Sequence, residues 1–140
     1  MPPTTQIPVT VNINSWLVKE FHNTSNLPIR KEPTLASVEE QELRVGLIEE
    51  ELEELKKGIE EEDIVEVADA LADLLYVVYG AALTFGINID QCFWEVHRSN
   101  MTKFGPNGEV YYNELGKVIK GPDYEPPRLE PILGIKDKTD

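Results

Sequence analysis

The chain has 140 residues, of which 41% are apolar and 28% are charged, and this composition is typical of a globular domain rather than a disordered or fibrous chain. Its 26 acidic and 13 basic residues give a formal charge of −13, which excludes nucleic-acid binding through bulk charge. No apolar stretch is long enough for a membrane span and the N-terminus has no signal-like pattern, so we expect a cytoplasmic protein without membrane contact. A single cysteine, Cys92, excludes an intrachain disulfide and a cysteine zinc site.

The position of the prolines separates a helical centre from irregular ends. All ten prolines lie at or before Pro33, or at or after Pro106, and the centre interleaves charged and apolar residues. Capping and stop signals predict an all-α fold with four helices, near residues 15–22, 35–60, 64–85 and 91–104. The residues that carry these signals are Thr34, Ser37 with Glu40, Asp63, Gly86 and Asp90.

The last quarter of the chain differs in composition. From Gly105 it is rich in glycine and proline, and short β-like pieces flank residues 113–116. We therefore predict a single domain over residues 1–140, with a helical core over about 14–104 and an irregular or hairpin arm over 105–140.

The second predicted helix carries glutamates that a solvated surface does not fully explain. On a wheel of about 100° per residue the helix has one apolar stripe, which we expect to pack inward: Ile48, Leu52, Leu55 and Ile59. Glu51 and Glu54, with Glu50 beside them, lie instead in a sector that also contains leucines. A solvated helix face is the alternative interpretation of the run 49–54 taken alone.

The third predicted helix gives a sharper signal. Its only charged residues are Glu66, Asp69 and Asp73, and they share one face with Tyr76 and Gly80 in an otherwise apolar helix. An ionised carboxylate in an apolar environment needs a cation or a proton to compensate it, and this helix contains no Lys or Arg. Two acidic helices without His or Cys among the acids indicate an all-oxygen site for a hard divalent cation, with Mg²⁺ the most available. The alternative is that backbone or hydroxyl groups satisfy Asp69 and Asp73.

A known family shares these patterns. The stretches LIEEELEELKKGI, VADALADLLYVVYGAALTFGI and FWEVHRSNMTK contain a Glu-Glu-x-x-Glu followed by an Asp before Leu-Leu-Tyr. In these residues the chain resembles the all-α NTP pyrophosphohydrolases, which include MazG, the dimeric dUTPases and phosphoribosyl-ATP pyrophosphohydrolase. The resemblance covers roughly residues 47–103. It implies a MazG-like four-helix core completed by dimerisation, and Mg²⁺-dependent cleavage of a nucleoside triphosphate such as dUTP between the α and β phosphates. Mn²⁺ is the expected substitute metal.

The resemblance also implies roles for individual acids. Glu50, Glu51 and Glu54 match the Glu-Glu-x-x-Glu element, and Asp73 matches the Asp of an ExxD element. The Glu of that second element is absent, because position 70 is Ala70, and either Asp69 or Glu66 could replace it. The implied metal ligands are Glu51, Glu54, Asp69, Asp73 and Glu66, and the implied base that orients the attacking water is Glu50 or Glu51. The number of metal ions stays open.

Substrate contacts follow from the same resemblance. It implies that Asn100 and Lys103 contact nucleotide or phosphate, although Asn100 could fill the core and Lys103 could be solvent-exposed. Lys120 lies in a GKVIKGP segment that is similar to the tail of the same subgroup. Aromatic residues that could stack on the base, or simply pack in the core, are Trp16, Phe21, Tyr76 and Tyr79. We assign no metal to His22 or His97, and we expect Arg98 on the surface or between subunits.

A partner subunit is also expected. A third helix that is apolar on nearly every side cannot be enclosed by three amphipathic helices of its own chain, so we predict a homodimer, with a tetramer as the extension. Two other functions remain open: phosphoribosyl-ATP pyrophosphohydrolase activity, and a non-catalytic acidic helical module that binds a partner or Ca²⁺. The absence of the EF-hand loop spacing argues against the module.

Overall fold

A computed structural model describes residues 12–136 of the chain. Within that range it contains five α-helices and no β-strand, which confirms the predicted all-α class. The helices are α1 (Ile13–Ser25), α2 (Val38–Glu60), α3 (Ile64–Phe85), α4 (Ile89–Met101) and the short α5 (Glu130–Leu133). The helix α5 lies within the segment predicted to be an irregular or hairpin arm.

The chain divides into two compact units, and the boundary lies between Asn88 and Ile89. The first unit contains α1 to α3, and the second contains α4, α5 and the C-terminal arm. The sequence placed its change of composition later, at Gly105, so the assignment of one domain to residues 1–140 stays a prediction.

The start of α2 is set by a capping box. The Ser37 hydroxyl accepts a hydrogen bond from the Glu40 N–H, and the Glu40 side chain accepts one from the Ser37 N–H, as predicted. The alternative start near Thr34 is wrong, because Ala36 has a left-handed φ of 60° that interrupts the helix. Thr34 closes a local turn instead, where its hydroxyl accepts from the Ala36 N–H at 3.0 Å.

The bounds of α3 agree with the sequence, and those of α4 differ. The Asp63 side chain caps α3 by accepting from the Val65 and Glu66 N–H groups, and Gly86 ends the helix with φ 66°. Asp90 is not the N-cap of α4, because that helix begins one residue earlier, at Ile89. The carboxylate lies in the first turn, where it interacts favourably with the positive end of the helix dipole.

Two glycines mark where α2 and α3 approach each other, and they define an antiparallel register. A Cβ atom on Gly58 would lie 3.1 Å from the Val67 nitrogen, and one on Gly80 would lie 2.7 Å from Arg44 Nη1. Arg44 and Gly58 are fourteen residues apart on α2, as are Glu66 and Gly80 on α3. Glu51 and Asp73 stand midway between these contacts, about 10.5 Å along the axis from each at 1.5 Å per residue.

The helix α1 runs parallel to α3. A Cβ atom on Gly80 would lie 3.1 Å from His22 Nε2, and the rings of Phe21 and Tyr76 meet edge to face at 5.7 Å. The segment between α1 and α2 is tied to the C-terminal end of α3, because the Arg30 N–H donates to the Leu83 carbonyl at 2.9 Å. These contacts join α1 and the following segment to the C-terminal end of α3.

The apolar stripe predicted for α2 packs inward only in part. Ile48 and Leu55 are half-buried, but Leu52 and Ile59 are 41% and 61% exposed. The reason is that α2 meets α3 along the line from Arg44 through Glu51 to Gly58. At about 100° per residue, this line lies about 70° from the centre of the stripe.

The arm of the second unit contains the predicted turn. Tyr112 and Val118 form an antiparallel bridge, and the Asn113 N–H donates to the Lys117 carbonyl at 2.9 Å. Gly116, with φ 80°, completes the turn. This is a minimal hairpin that does not extend into strands among the described residues.

No single helix in the described part of the chain is long and apolar enough to cross a membrane. By length and composition alone, α3 and α4 reach that threshold only when they are taken together as a broken pair.

Candidate active site

The carboxylates predicted from the sequence converge between α2 and α3. The pKa of Glu51 is raised first by burial and then by the negative charges of Asp73, Glu54, Asp69 and Glu50. All five acids are therefore close enough for their charges to interact. The structure brings together the two acidic faces that the sequence placed on separate helices.

A second contact joins the same helices one turn further along. A hydrogen bond between the side chains of Glu54 and Glu66 is the largest cause of a raised pKa for Glu66, followed by burial and by the charges of Glu54 and Asp69. Glu66 thus joins the cluster from the N-terminal end of α3.

The cluster is less buried than the sequence predicted. Glu51, Glu66 and Asp73 are half-buried, whereas the remaining acids, Glu50, Glu54 and Asp69, are exposed. In the single chain, the apolar environment expected around the acids of α3 is therefore only partial. The cause is that α1 and α2 cover only part of α3, whose buried residues are small ones near its C-terminal half and Ala70.

Glu50 and Glu51 can be distinguished by position. Glu51 lies on the line of α2 that faces α3, and of the charges that raise its pKa, Asp73 has the largest effect. Glu50 instead lines an open groove on the outer side of α2, together with Glu49, Glu53 and Glu54. Of the two candidates for the base, Glu51 is the one directed at the acids of α3.

The donor set fits a hard divalent cation by its chemistry. The cluster offers only carboxylate oxygens, and no Lys or Arg of the described residues forms an ion pair with any of its six acids. As they stand, no three His, Cys, Asp or Glu side chains within residues 12–136 are arranged closely enough to hold a metal ion. The side chains would have to converge further around a cation.

An apolar cavity of about 220 Å³ lies between α1 and α3, one turn from Asp73. Tyr76 and Tyr79 contribute its aromatic walls, and its remaining lining residues are Asn14, Leu17, Val18, Ala72 and Leu75. Tyr76 is 39% exposed, so its ring is reachable from solvent. Trp16 does not line the cavity and is 57% exposed.

The predicted phosphate-binding residues belong to the second unit. The Lys103 N–H donates to the Asn100 carbonyl at 3.1 Å, and the Gly121 N–H donates to the Lys103 carbonyl at 2.9 Å. The ammonium group of Lys120 lies 4.7 Å from the centre of the Tyr124 ring. The backbone of this unit therefore brings Lys103, Asn100 and the segment with Lys120 together. Lys103 is half-buried, while Asn100 and Lys120 are exposed.

Arg98 has a partner within its own chain. Its guanidinium binds both oxygens of Glu95, at 2.7 and 2.9 Å, and Glu95 also accepts from the Arg128 N–H at 2.7 Å. These contacts lower the pKa of Glu95, with the Arg98 hydrogen bonds as the largest cause. Arg98 also lies 3.6 Å from the Glu125 carboxylate, so it links α4 to the arm. Its side chain is 39% exposed, which agrees with the expected surface position.

Arg44 and His22 form a buried polar pair that the sequence did not single out. Both are almost fully buried, at 5% and 1% exposure, and they meet over the bare backbone of Gly80. His22 Nδ1 lies 2.8 Å from the Pro28 carbonyl, and burial, followed by the charge of Arg44, lowers the pKa of His22 against the raising effect of that hydrogen bond. The signal that could have found Arg44 is its place two turns before Glu51 on the same face of α2.

Two comparisons with known proteins bear on this site. The family described as phosphoribosyl-ATP pyrophosphohydrolase matches residues 18–100, which include α2, α3 and every acid of the cluster. An uncharacterized protein of Acanthamoeba polyphaga mimivirus is 39% identical over 73 residues, which are 51% of this chain. The match spans only 29% of that relative's own length.

Proposed function

Because the chain belongs to the phosphoribosyl-ATP pyrophosphohydrolase family, whose members are hydrolases acting on phosphoric anhydrides, we propose that it is a Mg²⁺-dependent nucleoside triphosphate pyrophosphohydrolase. The reaction is cleavage of a (deoxy)nucleoside triphosphate, with dUTP as a candidate, between the α and β phosphates. The products are the nucleoside monophosphate and pyrophosphate.

One observation supports this proposal above the others. Acids from two helices act on Glu51 from α2 and α3 at once, and no described basic side chain neutralises them. Such a cluster raises the free energy of the folded chain unless protons or cations compensate it. A polyphosphate is repelled by a chain of charge −13. The cations that compensate the carboxylates would therefore also neutralise the phosphates of the substrate.

The proposed roles of the acids follow from their positions, and those of the second-unit residues follow from the family resemblance. The residues that would hold Mg²⁺ are Glu51, Glu54, Asp69, Asp73 and Glu66. When bound, the ion supplies positive charge that neutralises the phosphate oxygens. Glu51, directed at α3, or Glu50 beside it accepts a proton from the attacking water and orients its oxygen toward the α phosphate. Asn100, Lys103 and Lys120 bind nucleotide or phosphate as charged and polar donors.

The cavity between α1 and α3 supplies a place for the base. Tyr76 lies one turn beyond Asp73 on α3, and its ring is accessible from the cavity side. A heterocycle that stacks on Tyr76 would leave its phosphates near the carboxylates. We assign base stacking to Tyr76 on this ground.

A second copy of the chain completes the enzyme in this proposal. Large apolar side chains of α1 and α3 remain exposed in the single chain: Ile13, Trp16, Phe21, Ile64, Val65, Leu71 and Leu75. Exposed apolar surface is typical of association sites, and a homodimer would bury the same side chains on both copies. Sedimentation equilibrium measures the oligomeric state, and a monomer at micromolar concentration would contradict this part of the proposal.

The matched family itself supplies a second candidate. Its description is phosphoribosyl-ATP pyrophosphohydrolase, a reaction with the same α–β cleavage on a different nucleotide. Carboxylate placement does not distinguish the two, because both substrates carry the same triphosphate.

The decisive experiment incubates the purified chain with Mg²⁺ and a panel of dNTPs, NTPs and phosphoribosyl-ATP, and measures pyrophosphate and orthophosphate separately. Pyrophosphate from a (d)NTP supports the proposal, and pyrophosphate from phosphoribosyl-ATP alone supports the second candidate. Orthophosphate with a nucleoside diphosphate would contradict α–β cleavage. No turnover of any substrate would favour a non-catalytic acidic module.

A further inference from the structure

Arg44 carries a buried positive charge, and its guanidinium makes no hydrogen bond with the residues that the structure describes. The residue is 5% exposed, and within residues 12–136 its guanidinium donates no hydrogen bond and forms no ion pair. An arginine does not escape this cost by losing its proton, because its pKa is too high. A guanidinium in this state is free to donate hydrogen bonds to an anionic acceptor.

The carboxylate whose charge acts on Arg44, that of Glu40, is already paired with another arginine. Glu40, one turn before Arg44, forms an ion pair with Arg30 at 2.8 Å and caps α2 with its backbone and hydroxyl partners at Ser37. Its interaction with Arg44 is limited to the effect of its charge, which partly offsets the lowering of the Arg44 pKa by burial. His22 offers no negative charge, because an imidazole is either neutral or positive.

The guanidinium is still reachable from solvent. Among the residues that the structure describes, the side-chain atoms that are both sealed from solvent and without a hydrogen bond are Glu40 Oε2 and Thr84 Oγ1. The nitrogens of Arg44 make no hydrogen bond, yet they are not in this set, so the small exposed area of the residue includes them. The guanidinium nitrogens therefore retain contact with solvent instead of being sealed in the interior.

The place of Arg44 relates it to the carboxylate cluster. Arg44 and Gly80 stand seven residues from Glu51 and Asp73 on their respective helices, about 10.5 Å along the shared axis. A triphosphate that bound at the carboxylate cluster through a cation would extend from it over a distance of this order, so its far end would lie near Arg44.

We propose that Arg44 binds the terminal phosphate of the substrate, and hence the pyrophosphate that leaves. This inference rests on the proposed function for its substrate class. Gly80 is the positioning residue, because its missing side chain gives the guanidinium its place between α2 and α3. Arg44 supplies a positive charge at the distal end of the substrate, which lies away from the carboxylate cluster.

The test measures the binding of inorganic pyrophosphate in the presence of Mg²⁺ by isothermal titration calorimetry. Arg44→Met keeps most of the apolar stem and removes the charge, and we expect it to weaken binding about tenfold or more, the loss typical of a hydrogen bond to a charged group. Lys56→Met is the matched control, since it removes one positive charge from the same helix at an exposed ion pair with Glu53. It should leave the affinity unchanged.

Two outcomes would overturn the inference. One is a wild-type chain that does not bind pyrophosphate, and the other is an Arg44→Met variant that is folded by circular dichroism and binds as the wild type does. The variant also separates this inference from the proposed function. If no nucleoside triphosphate is hydrolysed but pyrophosphate binding depends on Arg44, the proposed reaction fails while the anion site stands. If turnover occurs and Arg44→Met leaves KM and pyrophosphate affinity unchanged, only the anion site fails.

Discussion

Gly80 and Arg44 are in direct contact across the α2–α3 pair: a methyl group on Gly80 would lie 2.7 Å from Arg44 Nη1. The same methyl group would lie 3.1 Å from His22 Nε2, whose ring is held by the Pro28 carbonyl. Glycine is unfavourable in a helix interior. Gly80 is accommodated there because the absence of a side chain leaves room for Arg44 and His22.

A pair of glycine substitutions tests that contact. Gly80→Ala should lower the free energy of unfolding by roughly 1–3 kcal/mol, because the buried guanidinium and imidazole have little room to move. Gly46→Ala, with nothing within 4 Å of the added Cβ, should instead raise it. Its gain should be about 0.5–1 kcal/mol from helix propensity alone. Urea unfolding followed by circular dichroism measures both.

The double variant Arg44→Ala with Gly80→Ala is the internal control for this prediction. If the contact with Arg44 causes the loss, removing the guanidinium recovers part of the stability that Gly80→Ala costs. A Gly80→Ala chain as stable as Gly46→Ala would show that Arg44 moves aside without cost.

Glu40 predicts an acid limb in the stability profile. The Arg30 hydrogen bond, followed by those of Ser37, lowers the pKa of Glu40 to about 2. A carboxyl group whose folded pKa is below its unfolded value stabilises the fold above the unfolded pKa, and this contribution disappears as the pH falls through the folded pKa. The free energy of unfolding should therefore decrease as the pH falls from about 4.5 toward about 2.

Glu40→Gln should flatten that acid limb. Glu39→Gln removes an equal charge from the same helical turn, but Glu39 is exposed and outside the capping box, so it should leave the limb in place. Chemical unfolding at a series of pH values measures both variants. Identical profiles for the two would remove Glu40 from the account of acid stability.

The boundaries of the helices were predictable wherever a side chain determines them locally. Ser37, Asp63 and Gly86 end or begin helices through contacts with residues at most four positions away, and a sequence contains those neighbours. Asp90 shows the limit, because a helix that starts one residue earlier uses the same carboxylate in its first turn.

The acidic cluster was predictable, whereas the face of α2 that meets α3 was not. Periodicity locates apolar residues on a helix, but the contact between two helices is set by the close approach at Gly58 and Gly80. Two apolar residues, Leu52 and Ile59, were assigned inward and are exposed for that reason. The burial of Arg44 cannot be predicted from the sequence, because a lone arginine in a charged helix has the same pattern whether it is solvated or buried.

Asp73→Asn tests the metal role of the cluster. Without metal the variant should be as stable as the wild type or more so, because it removes one of the negative charges that act on Glu51. With Mg²⁺ the wild type should gain thermal stability and the variant should gain less, since a ligand that binds only the folded state stabilises it. Turnover should be abolished.

Thermal unfolding with and without Mg²⁺ separates this role from a structural one. An Asp73→Asn chain that fails to fold, together with a wild type that Mg²⁺ does not stabilise, would make Asp73 a structural residue. Glu53→Gln is the matched control, because Glu53 is exposed, paired with Lys56 and outside the cluster.

The last prediction separates substrate binding from chemistry. Lys103→Ala removes a point charge that binds the substrate and the transition state alike, so KM should rise more than kcat falls. Glu51→Gln or Glu50→Gln should instead lower kcat by a factor on the order of 10² for the residue that orients the water, with nucleotide binding retained. Titration of a non-hydrolysable α,β-imido nucleotide with Mg²⁺ present distinguishes the two classes. Unchanged affinity in Lys103→Ala would assign that lysine to the solvent-exposed surface, and full activity in both glutamine variants would move the base to another acid of the cluster.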